Sequence, residues 1–407
     1  MVMNPKTYRN DFPTLREDGA PTYLDNACVT LKPDSVVTAI NDYYTKTPGC
    51  GGRSVHRYST RVSRSTMESR IKLQRFLNAE SSSEIVFTRN ATHSLNQVAH
   101  GLSWEKGDIV LTSDREHNSN LVPWLQLEQE QGVDHRVVRS HENNTFDIEE
   151  FERACSEAGR RLKLVSMSQI GNLDGVEIPI KEVAAIAHDH GALVCVDGAQ
   201  STPHMNVDVQ ELDIDFLALS IHKMCGPSGM GALWGRYELL DNLRTIQSGG
   251  QTVANATYDS IEWAKPPKRF EGGLANFSGM IAAGEAIDYL SQFNLDEVHE
   301  HEIRLNHIMT DGIKDLPGVE IIGPKDARLR GGICSVLMHE LEPHDIALLL
   351  DEAAGVMVRS GQHCVHSWFN SKGHLNGSLR ASAYLYNTEE DARLFAETFA
   401  EAVHAFS

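Results

Sequence analysis

No apolar run in this 407-residue chain approaches the roughly 18 residues that a membrane-spanning helix requires. The opening residues, Met1-Val-Met-Asn-Pro-Lys-Thr-Tyr8, also lack the apolar core of a secretory signal, so a soluble, cytoplasmic protein is the expectation. Cysteine is scarce and shows no pairing pattern. The seven residues, at 28, 50, 155, 195, 225, 334 and 364, are odd in number and form no Cys-x-x-Cys spacing. That argues against a disulfide framework and for reduced thiols. Basic runs are missing as well. With 37 Lys and Arg against 56 Asp and Glu, the net charge of −19 argues against a nucleic-acid binder. Solubility is a sufficient reason for the acidic excess. Internal repeats and low-complexity segments are also absent.

What is present is a long alternation of strand and helix patterns. An opening arm, 1–20, is polar apart from Tyr8, Phe12 and Leu15. Residues 33–44 place Val36, Val37, Ile40 and Tyr43 on one helical face, and 60–79 do the same with Met67, Ile71, Leu73 and Leu77. From Ile85, short apolar runs at 85–88, 109–112, 137–138, 162–167, 193–196 and 216–221 are separated by helical patterns. This implies right-handed βαβ crossovers and an α/β fold with a mostly parallel sheet covered on both faces. Past Gly249-Gly250-Gln251 and Pro266-Pro267 the pattern changes. Helices are expected at 279–293, 296–316, 343–354 and 388–406, beside single strands at 319–322, 333–338, 355–359 and 379–385. The expected division is a large domain over 21–290 and a smaller α+β domain over 291–407.

The most informative stretch runs from Leu193 to Trp234. Two apolar strands each end in a polar cluster, Asp197-Gly198-Ala199-Gln200 and Ser220-Ile221-His222-Lys223, and a Gly-rich segment from Gly226 to Gly231 follows. Charges at buried strand ends are costly unless each has a dedicated partner. Pyridoxal 5′-phosphate (PLP) answers both. A Lys amine bonds to its aldehyde, an Asp carboxylate keeps its pyridine nitrogen protonated, and the ring becomes an electron sink. Either residue alone could be a loop cap or a solvated cation. Their spacing of 26 positions, with a strand between them, favours the paired reading.

This stretch resembles the PLP-lysine region of fold-type I, class-V aminotransferase-like enzymes, and within them the cysteine desulfurase and selenocysteine lyase group. The resemblance runs from Tyr23-Leu24-Asp25-Asn26-Ala27 to the segment from Arg380 to Thr388. It implies a large domain with a sheet of the seven-stranded type. It also implies roles: Lys223 holds PLP, Asp197 faces the ring nitrogen, and Gln200 bonds the phenolate oxygen. Ala91, Thr92 and His93, at a strand-to-helix link whose N–H groups favour an anion, take the phosphate with help from Ser220 and His222. His117, in Glu116-His117-Asn118-Ser119-Asn120, stacks on the ring and relays protons. Asn172 reaches the cofactor hydroxyl and the substrate carboxylate. Arg380 pairs with that carboxylate, a task suited to a guanidinium fork, and Arg359 is a second substrate-binding candidate.

None of these residues chooses the reaction, because one electron sink serves transamination, racemisation, elimination and desulfuration. The choice falls to the segment from Arg359 to His366, with Cys364 lying 141 residues after Lys223. Cys364 admits three readings: an inert buried thiol, a metal ligand with His363 and His366, or a nucleophile favoured by two His and Arg359. Three close ligands without a second cluster make the metal reading weak, and no metal is expected. The segment is similar to the Arg-x-Gly-His-His-Cys-Ala motif of Suf-type desulfurases, whose Cys attacks the substrate sulfur. Here Gln362 replaces the first His. Two further departures are Gly52, where the family loop that reaches across a dimer has His, and Leu274, where it has a phosphate-binding Thr. The loop retains Arg53 and His56. The resemblance implies a homodimeric enzyme that converts L-cysteine to L-alanine and leaves the sulfur on Cys364. A sulfur-acceptor protein would then use it for iron–sulfur clusters or other sulfur metabolism. A selenocysteine lyase, a class-V aminotransferase or C–S lyase without persulfide chemistry, and a non-catalytic scaffold stay open as alternatives.

Overall fold

The computed structural model describes residues 5–17 and 19–406, so residues 1–4 and 18 of the expected arm lie outside the described residues. Seven strands form the main sheet: β1 (Ile85–Thr88), β2 (Ile109–Ser113), β3 (Asp134–Val138), β4 (Leu162–Ser168), β5 (Leu193–Asp197), β6 (Phe216–Ser220) and β7 (Gly231–Gly235). Their order is β1-β7-β6-β5-β4-β2-β3. β7 runs antiparallel to both neighbours, and the remaining pairs are parallel. Successive side chains leave a strand on opposite faces. Val194, Val196, Leu217 and Leu219 therefore enter one apolar layer, while Cys195, Phe216 and Ala218 enter the other. β7 has no counterpart in the sequence expectation, because glycines at both ends obscure its short apolar centre. Gly231 is required there, since a Cβ would stand 2.5 Å from the Asn90 Cα.

The smaller C-terminal domain carries a four-stranded antiparallel sheet of β8 (Val319–Ile321), β9 (Ile333–Met338), β10 (Arg359–Gly361) and β11 (Ser378–Ser382), in the order β8-β9-β11-β10. Helices Leu295–Ile313, Pro343–Ala354 and Glu389–Phe406 supply Leu305, Met309, Ile346, Leu350, Phe395 and Phe399 to its core. The strand expected over 355–359 divides: Val356–Met357 pairs in parallel with Thr22–Tyr23, and β10 pairs with β11. The opening segment read with the large domain thus lies along the C-terminal one. Leu24 joins the C-terminal core, and Asp25 bridges to Ser382. Helix Leu295–Ile313 links the two cores, with Leu295 and Val298 in the first and Leu305 and Met309 in the second. No helix among the described residues is long and apolar enough to cross a membrane.

The loop that carries Asn172 meets the C-terminal domain at Gly175. This residue has φ of +73°, and a Cβ on it would lie 1.9 Å from the Arg330 carbonyl oxygen. Arg330 cannot give way easily. It is fully buried and donates to Pro324 O at 2.8 Å and to Thr310 Oγ1 at 2.7 Å. Gly175→Ala should therefore destabilise the protein by about 2–4 kcal/mol, combining left-handed backbone strain with the clash. Urea unfolding of the variant checks this, and a midpoint equal to wild type would contradict the close approach.

Candidate active site

In a parallel sheet the carboxyl ends of the strands share one edge, and a crevice there is the natural place for a ligand. β1, β2, β4, β5 and β6 all end on one side, around a cavity of about 250 Å³. Asp197 closes β5 and is buried, with one carboxylate oxygen accepting from Ala199 N–H at 3.0 Å. Burial pushes its carboxyl above the ordinary range, against the pull of that N–H and of Lys223. β6 ends at Ser220, and the single 3-10 turn Ile221–Lys223 brings Lys223 into the cavity wall. Burial draws its ammonium down to about 8, with Asp197 opposing and Arg380 and Arg359 reinforcing the effect.

One group of lining residues surrounds the start of helix Ala91–Gly101: Asn90, Ala91, Thr92, Ser119, Ser220 and His222. Asn90 caps the helix by accepting from His93 N–H at 3.0 Å, and Ala91 N–H donates to Ser220 Oγ at 3.0 Å. Thr92 Oγ1 meets Ser119 Oγ at 2.6 Å. The structure does not bring His93 into this group. Its backbone N–H is committed to Asn90, and its ring Nδ1 accepts from Arg89 N–H at 3.3 Å outside the cavity.

His117 reaches the cavity from a turn held by Glu116. That buried carboxyl accepts from Ser113 Oγ at 2.5 Å, Asn120 Nδ2 at 2.7 Å and Ser168 N–H at 3.0 Å. Burial still raises it to about 7. Ser119 N–H donates to His117 Nδ1 at 3.0 Å, which places the proton of the neutral imidazole on Nε2. Burial first, then Lys223, Arg380 and Arg359, lower His117 to about 3. Gln200 donates from Nε2 to Ala27 O at 2.8 Å, so the remaining N–H is available on a residue that lines the cavity.

The C-terminal domain contributes the cationic wall. Arg359 and Arg380 are direct cross-strand partners in the β10–β11 ladder, and both line the cavity. Arg380 donates to Asn172 O at 2.8 Å and to Asp25 Oδ1 at 3.3 Å, while its buried Nε makes no hydrogen bond. Like charges opposite each other on neighbouring strands are unfavourable. One carboxylate against two guanidiniums leaves this wall suited to a further anion. Asn172 also lines the cavity and donates to His363 O at 2.8 Å.

Cys364 lies just beyond that wall and does not line the cavity. It is half-buried, in a turn where His363 and Cys364 both have positive φ, +47° and +61°. Asn118 N–H donates to Cys364 O at 2.7 Å, so loops of the main-sheet domain hold the turn at two successive carbonyls. Arg359 Nη2 stands 3.8 Å from Cys364 Sγ. The two histidines expected beside the thiol are engaged elsewhere. His363 bonds Ser378 Oγ at 2.8 Å and lines the cavity, and His366 meets Asn118 Nδ2 at 2.8 Å. Gln362 donates to Leu375 O at 3.0 Å. Gly52 has φ of +75°, Arg53 donates to Gly273 O of its own chain at 3.0 Å, and Leu274 is 71 % exposed.

Sequence reasoning missed Cys28, Asn90, Ser119 and His363 as lining residues, Asp25 as a partner of Arg380, and Glu116 as the carboxyl that holds the turn at His117. Ser119 and Glu116 belong to the same short motif as His117, so that motif was the available signal. Cys28 carried none beyond its place after Asp25-Asn26-Ala27. The residues present fit PLP. A helix start suits its phosphate, a buried carboxylate its ring nitrogen, a spare amide N–H its phenolate oxygen, and an amine of lowered basicity its aldehyde.

The profile of the class-V aminotransferase family matches residues 22–395. A protein of Halalkalibacterium halodurans named probable cysteine desulfurase is 38% identical over 399 residues, which is 96% of this chain and 95% of that one. Among solved structures, the apo cysteine desulfurase of Thermococcus onnurineus NA1 is similar with a TM-score of 0.93 at 34% identity, covering 100% of this chain and 99% of its own. A cysteine desulfurase of Escherichia coli has a TM-score of 0.91 at 30% identity and full coverage of both chains.

The depressed His117 value has a sign that can be measured. Between pH 6.5 and about 3 the folded protein leaves this group neutral while the unfolded chain protonates it, so acidification removes stability. In the unliganded protein, His117→Gln should flatten the loss between pH 6.5 and 4 by up to about 3 kcal/mol. Urea unfolding at several pH values reads the slope, and identical slopes would show that His117 is not held neutral by the site.

Proposed function

The chain belongs to the class-V aminotransferase family, and from that premise we propose that it is a PLP-dependent cysteine desulfurase. The observation that carries this is one cavity in which Lys223, Asp197, Gln200 and His117 meet the Arg359–Arg380 pair, with Cys364 one side chain behind Arg359. Full-length similarity to proteins named cysteine desulfurase supports the same reading. When bound, PLP supplies an electron sink that weakens the bonds at Cα of an amino acid joined to it. Asn90, Ala91, Thr92, Ser119, Ser220 and His222 hold its phosphate. Asp197 would hold a proton on the ring nitrogen, and the free N–H of Gln200 would donate to the phenolate oxygen. His117, a neutral imidazole that lines the same cavity, would contact the ring.

Arg380 and Arg359, which both line the cavity, bind the α-carboxylate of L-cysteine. Lys223 Nζ, lowered to about 8, is partly unprotonated near neutral pH and takes the Cα proton. Cys364 Sγ then bonds the substrate sulfur as the Cβ–S bond breaks. The electron pair of the Cβ–S bond stays with the three-carbon fragment, and the enzyme keeps Cys364–S–SH. The fragment takes up two protons, the one Lys223 removed from Cα and the one the Cys364 thiol gave up, and L-alanine leaves. From a half-buried turn the persulfide is open to a sulfur-acceptor protein, iron–sulfur cluster assembly being one use for it.

The working unit is a homodimer. A groove of about 1080 Å³ beside the helix start, lined by Phe87, Arg89, Met230, Phe270 and the exposed Leu274, suits cover by a second copy. Val55, 99 % exposed in the Gly-rich loop, is a further apolar contact for it. Sedimentation should give twice the chain mass of 45.1 kDa. A fully active monomer at micromolar concentration would contradict the dimer.

Cys364→Ala decides the reaction. The variant should keep the cofactor's visible spectrum and its change on adding L-cysteine, because both depend on Lys223 and Asp197. Alanine formation should fall by about 10²- to 10⁴-fold, the loss expected for a removed nucleophile. Turnover of L-cysteine to alanine and sulfide near the wild-type rate would sink the persulfide step and leave a C–S lyase or aminotransferase.

A further inference from the structure

Gln200 lies between two cavities. It lines the one that holds Lys223, and it also lines a second of about 20 Å³, bounded by Gly175, His204, His299, Glu302 and Gly331. That second volume holds one water and little else, since a water needs at least about 10–15 Å³. Three buried polar atoms of its lining residues make no hydrogen bond to the protein: Gln200 Oε1, Glu302 Oε2 and His299 Nδ1. Gln200 is 3 % and Glu302 1 % exposed, so bulk solvent does not serve them. The other half of each acidic or amide group is engaged. Gln200 Nε2 donates to Ala27 O at 2.8 Å, and Glu302 Oε1 meets His204 Nδ1 at 2.8 Å. Because the Ala27 carbonyl can only accept, the amide nitrogen must face it, and Oε1 is left as an acceptor.

We propose that a single buried water bridges these three atoms and makes Glu302 a positioning residue for Gln200. The water donates one O–H to Gln200 Oε1 and the other to Glu302 Oε2, and accepts from His299 Nδ1–H. All three orphans are satisfied at once, as buried polar groups require. The consequence rests on the proposed function. With Oε1 held by the water and Nε2 by Ala27, the free N–H of Gln200 stays aimed at the cofactor's phenolate oxygen. Glu302 sits on helix Leu295–Ile313, which joins both cores, so packing of the C-terminal domain sets the orientation of a cofactor ligand.

A crystal structure of the PLP-loaded wild-type enzyme tests the water directly. Expected is a solvent peak within about 3 Å of both Gln200 Oε1 and Glu302 Oε2. No peak, or a peak with the short, crowded contacts of a cation, overturns the proposal. The coupling is read from the pH midpoint of the cofactor's visible band, which N–H donation to the phenolate oxygen keeps low. Glu302→Gln retains an acceptor for the water and should match wild type. Glu302→Met removes it and should raise the midpoint by about half a pH unit or more. Equal midpoints in Glu302→Met and wild type overturn the positioning role, and if that variant does not fold, the wild-type structure still decides. Failure of the protein to take up PLP would count against the proposed function, and the solvent peak is then sought in crystals of the unliganded protein, where the same outcomes decide.

Discussion

The arrangement depends on placing charge at the carboxyl edge of a sheet that is buried on both faces. Asp197 ends β5, Lys223 lies in the turn that follows the neighbouring β6, and both strands are covered above and below by apolar layers. Neither group is comfortable there. Burial raises the carboxyl and lowers the ammonium, moving both toward their neutral forms. An environment that disfavours the isolated charges favours a ligand that uses them. Under the proposed function, a protonated ring nitrogen would give Asp197 a counter-charge, and an aldehyde would give Lys223 a bond in place of a proton. Burial at the strand ends thus leaves two groups of perturbed basicity in one cavity, the arrangement that marks a reactive site.

The second half of the site exists only where the two cores meet. Arg380 on β11 is anchored by Asn172 O and Asp25, which come from two distant parts of the chain. The turn at Cys364 is held by Asn172 and Asn118 through two successive carbonyls, which supports its left-handed backbone. Left-handed non-glycine residues persist only where their surroundings over-determine them, and these surroundings belong mostly to the other domain. The position of the thiol relative to the cavity thus reports the assembly of the whole protein. A stretch of eight residues around Cys364 could not set it alone.

The elements that were legible in the chain are those with a strong local signal. Strands β1, β2, β4, β5 and β6 are short apolar runs, and their polar ends, Ser220 and Asp197 among them, stand out against that background. β7 was hidden because its flanking glycines answer to close backbone approach at Asn90, which is a tertiary demand. His93 illustrates the opposite error. It sits in the segment expected to take a phosphate, yet the N-cap of Asn90 takes its backbone N–H and its ring accepts from Arg89 N–H.

By itself the sequence determined the α/β class, the parallel crossovers and the placement of Asp197 and Lys223 at the ends of two successive apolar strands, because periodicity and charge at strand ends are written in consecutive residues. Only the tertiary structure decided that Arg359 and Arg380 stand opposite one another, that His363 rather than Cys364 lines the cavity, and that Thr22–Tyr23 runs beside Val356–Met357. Register between strands and contacts between domains depend on how two cores pack. That packing couples residues hundreds of positions apart, which no local pattern records.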